Sequence, residues 1–187
     1  MYSLDKSIES KFNDLKLAIK EDKGRWISSQ GVNAVIVVYP PEDEKEYLKR
    51  VKQDYSQEYI IDISSLFVEL IDYYGPDNFK TMYKDFKSTP DQVFADQSTE
   101  EEDLFSLIIR EIKTAKKENK MPILIRTGIL YGTGIRNKDI LENREISQIK
   151  RPLIVFYPGE IREDVDDKER VYFLGTIKAS DYRGHFI

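Results

Sequence analysis

The stretch AVIVVYPP, residues 34–41, decides the fold of this chain. Five apolar residues in succession, most of them β-branched, predict a strand that is buried on both faces, as in a parallel sheet. Pro40 and Pro41 end that strand. Residues 42–57 then run from acidic to basic with apolar side chains at helical spacing, which predicts a helix aligned with its own dipole. A strand followed by a helix is the unit of an α/β fold.

Apolar runs that repeat this alternation extend from residue 34 to the end of the chain. The strands are expected at 59–63, 122–126, 152–157 (ending at Pro158-Gly159) and 171–177. Helices are expected over 4–19, after Ser64 or Ser65, from Pro76 to Thr89, after a capping box at Ser98-Thr99, and over 135–142. We therefore predict a mostly parallel sheet of about five strands with helices on both faces, a three-layer sandwich of degenerate P-loop or Rossmann-like type. The last two strands either run parallel or close as a hairpin at one edge.

Length and composition bound the functional class. The 187 residues suit one domain, with an N-terminal helix and connector over 1–30, a sheet core over 31–178 and a C-terminal tail over 179–187. The net charge of −5 disfavours nucleic acid and anionic lipid as partners. The absence of cysteine and the single His185 exclude thiol catalysis, disulfides and most transition-metal sites. No apolar run reaches the roughly 20 residues of a membrane span, so we expect a cytoplasmic protein without a membrane partner.

Two turns were candidates for nucleotide binding. After the first strand, a phosphate cradle would need glycines and free amide groups, but Pro40-Pro41 removes two donors and Glu42 begins a run of three carboxylates. Gly132-Thr133-Gly134 follows a strand and precedes a helix, as a dinucleotide fingerprint does, but Asn137 stands where the third glycine belongs. For the glycines of 128–134, a tight strand-to-helix turn is the favoured explanation.

The remaining polar candidates have structural alternatives. Arg126 and Arg136 either form an anion site or pair with carboxylates of the chain. Asp62 is either a helix cap or a general base, and the acidic stretch 163–167 is either a solvated loop or a hard-metal site. No nucleophile elbow accompanies His185. The residues predict no catalytic set, hence no enzyme, and no cofactor or metal.

Several segments form a recognisable series along the chain. They are Tyr39-Pro40-Pro41-Glu42, Pro122 to Gly128, Leu130-Tyr131, Arg136, Leu141, Pro152 to Gly159, Phe173-Leu174-Gly175 and Asp181-Tyr182-Arg183. In this order they resemble the BrxB family of bacterial BREX phage-defence systems. The resemblance covers roughly residues 30–187, and Phe156-Tyr157-Pro158-Gly159 is its most distinctive part. The chain departs from the family pattern at Gly132-Thr133-Gly134, where an apolar stretch containing proline is expected.

The resemblance implies a non-catalytic subunit of an antiviral defence complex. Such a subunit is expected to act as an adaptor or scaffold for the alkaline-phosphatase-like PglZ protein, beside a large ATPase and a DNA methyltransferase of the same system. The 12 tyrosines and 9 phenylalanines supply residue types that dominate protein interfaces. The candidate partner-binding residues are Arg126, Tyr131, Arg136, Tyr157 and Glu160.

Two alternatives stay open. The first is a regulatory subunit that binds a nucleotide or small anion on the loop Gly128–Asn137, with Arg126 and Arg136. The second is a subunit that contacts DNA, which the net charge opposes. Its lysines would be Lys80, Lys84 and Lys87, or Lys113, Lys116, Lys117 and Lys120.

Overall fold

The centre of the computed structural model is a parallel sheet in the strand order β2-β3-β4-β1-β7. The structure describes residues 7–21, 33–96, 101–147, 149–163, 169–178 and 184–187. The strands are β1 (Ala34–Tyr39), β2 (Tyr59–Asp62), β3 (Pro122–Ile125), β4 (Leu153–Glu163), β5 (Glu169–Phe173), β6 (Ile177–Lys178) and β7 (His185–Phe186). The helices are α1 (Ile8–Glu21), α2 (Glu44–Asp54), α3 (Ile63–Tyr74), α4 (Pro76–Asp85), α5 (Asp91–Phe94), α6 (Leu104–Lys117), α7 (Asn137–Leu141) and α8 (Arg144–Ser147).

Helices cover both faces of this sheet, which confirms the predicted α/β class. Side chains of α1 and α2, including Phe12 and Tyr47, pack on one face against Val37 and Phe156. Side chains of α3 to α8 form the larger core on the other face. All six residues of β1 are buried, as its continuous apolar run predicts. No helix in the described ranges is long and apolar enough to cross a membrane.

The fourth strand does not end at Pro158-Gly159, and that prediction was wrong. Pro158 is the last β4 residue opposite β1, and its missing N–H falls where the parallel ladder stops. Its carbonyl still accepts a hydrogen bond from the Leu174 amide at 2.9 Å. β4 then continues to Glu163, paired antiparallel with β5. The antiparallel pair therefore extends from a central strand and not from an edge of the sheet.

The predicted strand over 171–177 is interrupted. β5 ends at Phe173 because Leu174 and Gly175 adopt positive φ angles of 49° and 66°, which turn the chain back into β6. Two-residue β6 then pairs with β5. The antiparallel unit β4-β5-β6 thus forms an arm beyond the carboxyl ends of the parallel strands.

The last residues also belong to the sheet. His185 and Phe186 form β7 parallel to β1, and the Ile187 amide donates to the Ile36 carbonyl at 2.9 Å. The boundary drawn between core and tail at residue 178 therefore does not hold. Two residues are too short to carry a periodic signal in the sequence.

Helix starts follow side-chain caps. The Asp62 carboxylate accepts from the Ser64 amide at 3.0 Å, so it is the cap of α3, in place of Ser64 or Ser65. Asp103 caps α6 by accepting from the Ser106 amide at 2.6 Å. The predicted capping box at Ser98-Thr99 lies outside the described residues, and so does Leu4 of the first predicted helix.

Candidate functional site

The loop between β3 and α7, residues 126–136, is held by its own hydrogen bonds. The amides of Ile129 and Tyr131 donate to carbonyls of Arg126 and Gly128 at 3.2 and 3.0 Å. The Thr133 amide donates to the Leu130 carbonyl, and the Ile135 amide to Thr133 Oγ1 at 3.1 Å. These bonds engage four backbone donors of the loop, so fewer of its amides remain for a phosphate cradle.

Gly132 and Gly134 are explained by backbone conformation. Their φ angles are 80° and 81°, a region that other L residues rarely adopt. A Cβ on Gly134 would lie 2.9 Å from the Asp91 Cβ, so the loop packs directly on the start of α5. This arrangement favours the tight-turn interpretation over a dinucleotide fingerprint.

Two adjoining apolar grooves flank this loop. The first, the aromatic groove, has a volume of about 370 Å³. The second, the arm groove, has a volume of about 420 Å³ and is closed on one side by β5 and β6. Tyr131 and Gly132 line both. The aromatic groove is completed by Phe67, Phe79, Tyr83, Phe94, Ile129 and Thr133, and the arm groove by Leu130, Gly134, Ile135, Arg136, Asn137, Phe173 and Ile177.

Large apolar side chains are exposed around these grooves. Tyr131 is 59% exposed, Ile177 49% and Tyr83 42%. Asn137, in contrast, is only 4% exposed, and its Oδ1 has no hydrogen-bond partner among the described residues. A buried acceptor without a donor costs free energy, so the arm groove has an unmet hydrogen-bonding requirement in the isolated chain.

Polar side chains meet at the carboxyl ends of β1, β2 and β3. Arg126 adopts a left-handed φ of 57°, and its guanidinium pairs with Asp62 and donates to Ser64 Oγ at 3.2 Å. The Tyr39 hydroxyl donates to Glu44 Oε2 at 2.8 Å. Burial, and then the Glu44 carboxylate, raise the pKa of Tyr39 far above its usual range. This strand-end cluster holds β2 and β3 together and keeps the Tyr39 hydroxyl protonated.

The structure distributes the five predicted partner-binding residues over four places. Tyr131 and Arg136 line the arm groove. Arg126 lies in the strand-end cluster. Tyr157 is fully buried, with its ring 4.9 Å from the Phe173 ring, so it belongs to the core and not to a surface. Glu160 lies on the arm, where it accepts from Arg162 Nε at 2.8 Å.

Arg136 is paired inside the chain, one of the two outcomes open from the sequence. Its Nε and Nη2 donate to the two Asp139 carboxylate oxygens at 3.0 and 2.6 Å, and its amide also donates to Asp139. Partial burial of Asp139 opposes ionisation, but these bonds outweigh it and lower the pKa of that carboxyl. The side chain of Arg136 is nevertheless 69% exposed at the groove rim.

Phe173, Ile177 and Tyr83 were not assigned to a site from the sequence, and Asn137 entered only as the end of the loop in the nucleotide-binding alternative. They come from three separated segments, and only the packing of α4, α7 and the arm against one loop brings them together. The one local signal was Asn137 in place of a third glycine, which marks the position as unusual without indicating burial. Among the described residues, no group of three acidic, histidine or cysteine side chains is arranged to hold a metal ion.

Protein-family models, curated proteins and solved structures were each compared with this chain, and none matches it.

Proposed function

We propose that this chain is a non-catalytic adaptor subunit of a BREX-type phage-defence system, and that it binds the PglZ-like protein of that system in the cytoplasm. The residues that carry the resemblance to the BrxB family support this proposal by their position. Tyr131, Arg136 and Phe173 line the arm groove. Phe156-Tyr157-Pro158-Gly159 joins the parallel sheet to the arm that forms one groove wall.

The observation that carries the proposal is the exposed apolar surface around Tyr131. Tyr131, Ile177 and Tyr83 are large side chains left in contact with water at adjoining grooves. A contiguous exposed apolar patch is typical of a protein interaction site, and buried tyrosines are frequent energetic centres of interfaces. Docking of an apolar segment would remove this surface from water.

Asn137 specifies the chemistry of the docked segment further. Asn137 lines the otherwise largely apolar arm groove, and its buried Oδ1 has no hydrogen-bond partner among the described residues. The bound segment is therefore expected to bring an N–H or O–H donor beside its apolar side chains, as a tryptophan, a tyrosine or an extended backbone does. Forming that bond removes the penalty of the unsatisfied acceptor.

The test is size-exclusion chromatography with light scattering of the full chain mixed with the PglZ-like protein of the same operon. We expect one co-eluting complex for the wild-type chain. Tyr131→Ala should weaken binding at least tenfold, because it removes the side chain shared by both grooves. Tyr73→Ala is the matched control, since Tyr73 is 58% exposed on α3 but lines neither groove.

A second variant separates binding from stability. Asn137→Leu replaces the unsatisfied acceptor with an apolar side chain of similar size, so the free chain should be as stable as the wild type or more stable. Binding should nevertheless weaken, because the donor of the partner loses its acceptor. Two separate peaks for the wild-type mixture would contradict the proposal, and so would equal losses in Tyr131→Ala and Tyr73→Ala.

A further inference from the structure

A third concave site lies at the amino ends of β3 and β4, opposite the carboxyl ends of the strands. This pocket has a volume of about 440 Å³ and lies between the end of α6 and the segment that leads into β4. Among the described residues, the lining side chains are mostly cationic and include no carboxylate. They are Lys116, Asn119, Lys120, Ile149, Lys150 and Arg151.

Three of these cations are paired with carboxylates that do not line the pocket. Arg151 donates two hydrogen bonds to Glu58 at 2.8 and 2.7 Å, and Glu58 also accepts from the Met121 amide at the start of β3. Lys120 lies 2.8 Å from Glu118. Glu145 is shared by Lys116 at 3.6 Å and by Lys113 at 3.5 Å.

Lys150 has no such carboxylate within ion-pair distance in the described part of the chain, although it lines the same pocket. The four lining cations and Lys113 therefore face three carboxylates, which are Glu58, Glu118 and Glu145. The rest of the chain contains 24 basic side chains against 31 acidic ones. The pocket is therefore locally positive in a protein that is negative overall.

A helix dipole does not explain this concentration. Lysines at the carboxyl end of α6 complement the dipole, which accounts for Lys116 and contributes to the placement of Lys120. Lys150 and Arg151 belong to a different segment of the chain, so the dipole of α6 does not account for their placement. Like charges around one concavity repel each other, and a bound anion with several charges would offset that repulsion.

We infer that this cationic pocket binds a small anion that carries two or more phosphate groups, such as the phosphate chain of a nucleotide or an inorganic polyphosphate. Its volume falls in the range of small-ligand pockets, about 300–1,000 Å³. A fixed guanidinium and mobile lysine ammonium groups are the usual recognition groups for phosphate oxygens. A long nucleic acid is less suitable, because the negative charge of the remaining surface would repel its backbone.

The probe is sodium triphosphate, titrated into the full chain by isothermal calorimetry at about 50 mM salt, where charge interactions are only partly screened. We expect micromolar binding that weakens as salt is raised. Lys150→Gln and Lys120→Gln should each weaken binding at least fivefold. Lys49→Gln, on α2 across the sheet, is the matched control and should bind as the wild type does. Free Lys150→Gln should be at least as stable as the wild type, because it relieves repulsion.

Parallel titrations with ATP and with a short DNA duplex distinguish the sources of phosphate. Tighter binding of ATP than of triphosphate supports a nucleotide ligand, and the reverse supports an inorganic polyphosphate. Duplex binding without triphosphate binding would overturn the inference in favour of a nucleic-acid surface. Absence of heat at millimolar triphosphate, or an equal loss in Lys49→Gln, would also overturn it. The pocket shares no residue with the grooves, so this result is independent of the adaptor proposal.

Discussion

Gly134 lacks a side chain for two separable reasons, and Gly132 for only one of them. Both have positive φ angles, but a Cβ on Gly132 would meet nothing within 4 Å, whereas one on Gly134 would meet Asp91. Gly132→Ala should therefore destabilise the fold by about 1–2 kcal/mol, the cost of a left-handed conformation. Gly134→Ala should cost about 1–3 kcal/mol more, because the start of α5 must move. Equilibrium denaturation in urea measures both; equal losses would show that the Asp91 contact imposes no constraint.

Single residues were predictable where their partners are local. Asp62 was recognised as a candidate cap because the Ser64 amide that it accepts from is two positions away. The sequence does not decide between an anion site and an ion pair for Arg126, because Asp62 and Ser64 lie more than 60 positions earlier. The prediction of Tyr157 as a partner-binding residue is wrong, because the sequence does not show that Phe173 covers its ring.

Helices and strands were predictable where an apolar run or a hydrophobic period extends over several residues. The runs that became β1 and β3 are buried along their whole length, β2 is buried only at Ile61, and all three were identified within one or two residues. The continuation of β4 was missed because Pro-Gly is normally a turn signal. In this chain Pro158 coincides with the end of a parallel ladder, and Gly159 begins an antiparallel one.

Gly159 is the residue that permits this change of partner. A Cβ at position 159 would lie 2.6 Å from the Tyr172 carbonyl oxygen and 3.2 Å from the Tyr157 ring. Gly159→Ala should therefore separate β5 from β4 and raise hydrogen exchange of amides in 169–173, while those in β1 stay protected. It should also weaken binding at the arm groove, which Phe173 helps to form.

Gly128→Ala is the control for this change. A Cβ on Gly128 would make ordinary contacts of 3.4 and 3.6 Å with Pro158 and Leu174, at a φ that other residues adopt. It should leave the exchange of the arm unchanged. Uniformly faster exchange across the parallel sheet in Gly159→Ala would contradict a local effect and indicate global destabilisation.

At the scale of the whole molecule, the sequence predicts the layers of the fold but not the order of the strands in the sheet. The α/β class, the approximate number of parallel strands and helices on both faces follow from alternating apolar runs. The order β2-β3-β4-β1-β7 depends on contacts between segments far apart in the chain, which one sequence does not encode as a local pattern. The same limit applies to the sites, since each groove or pocket combines side chains from at least two distant segments.

The arm groove and the cationic pocket lie at opposite ends of the parallel strands, and we expect them to bind their ligands independently. The four residues of β3 alone separate its two ends by about 13 Å. Energetic effects of changes more than about 7–10 Å apart without shared partners are usually additive. Lys150→Gln should therefore leave the affinity for the PglZ-like protein within about twofold of wild type. A tenfold change in affinity would correspond to about 1.4 kcal/mol of binding free energy. Tyr131→Ala should likewise leave the affinity for triphosphate unchanged.

Calorimetry on both single variants and on the double variant, with each ligand present and absent, measures the coupling between the sites. A change of fivefold or more in one affinity on saturation of the other site would contradict independence and identify β3, which joins the two ends, as the first element to examine for a second conformation.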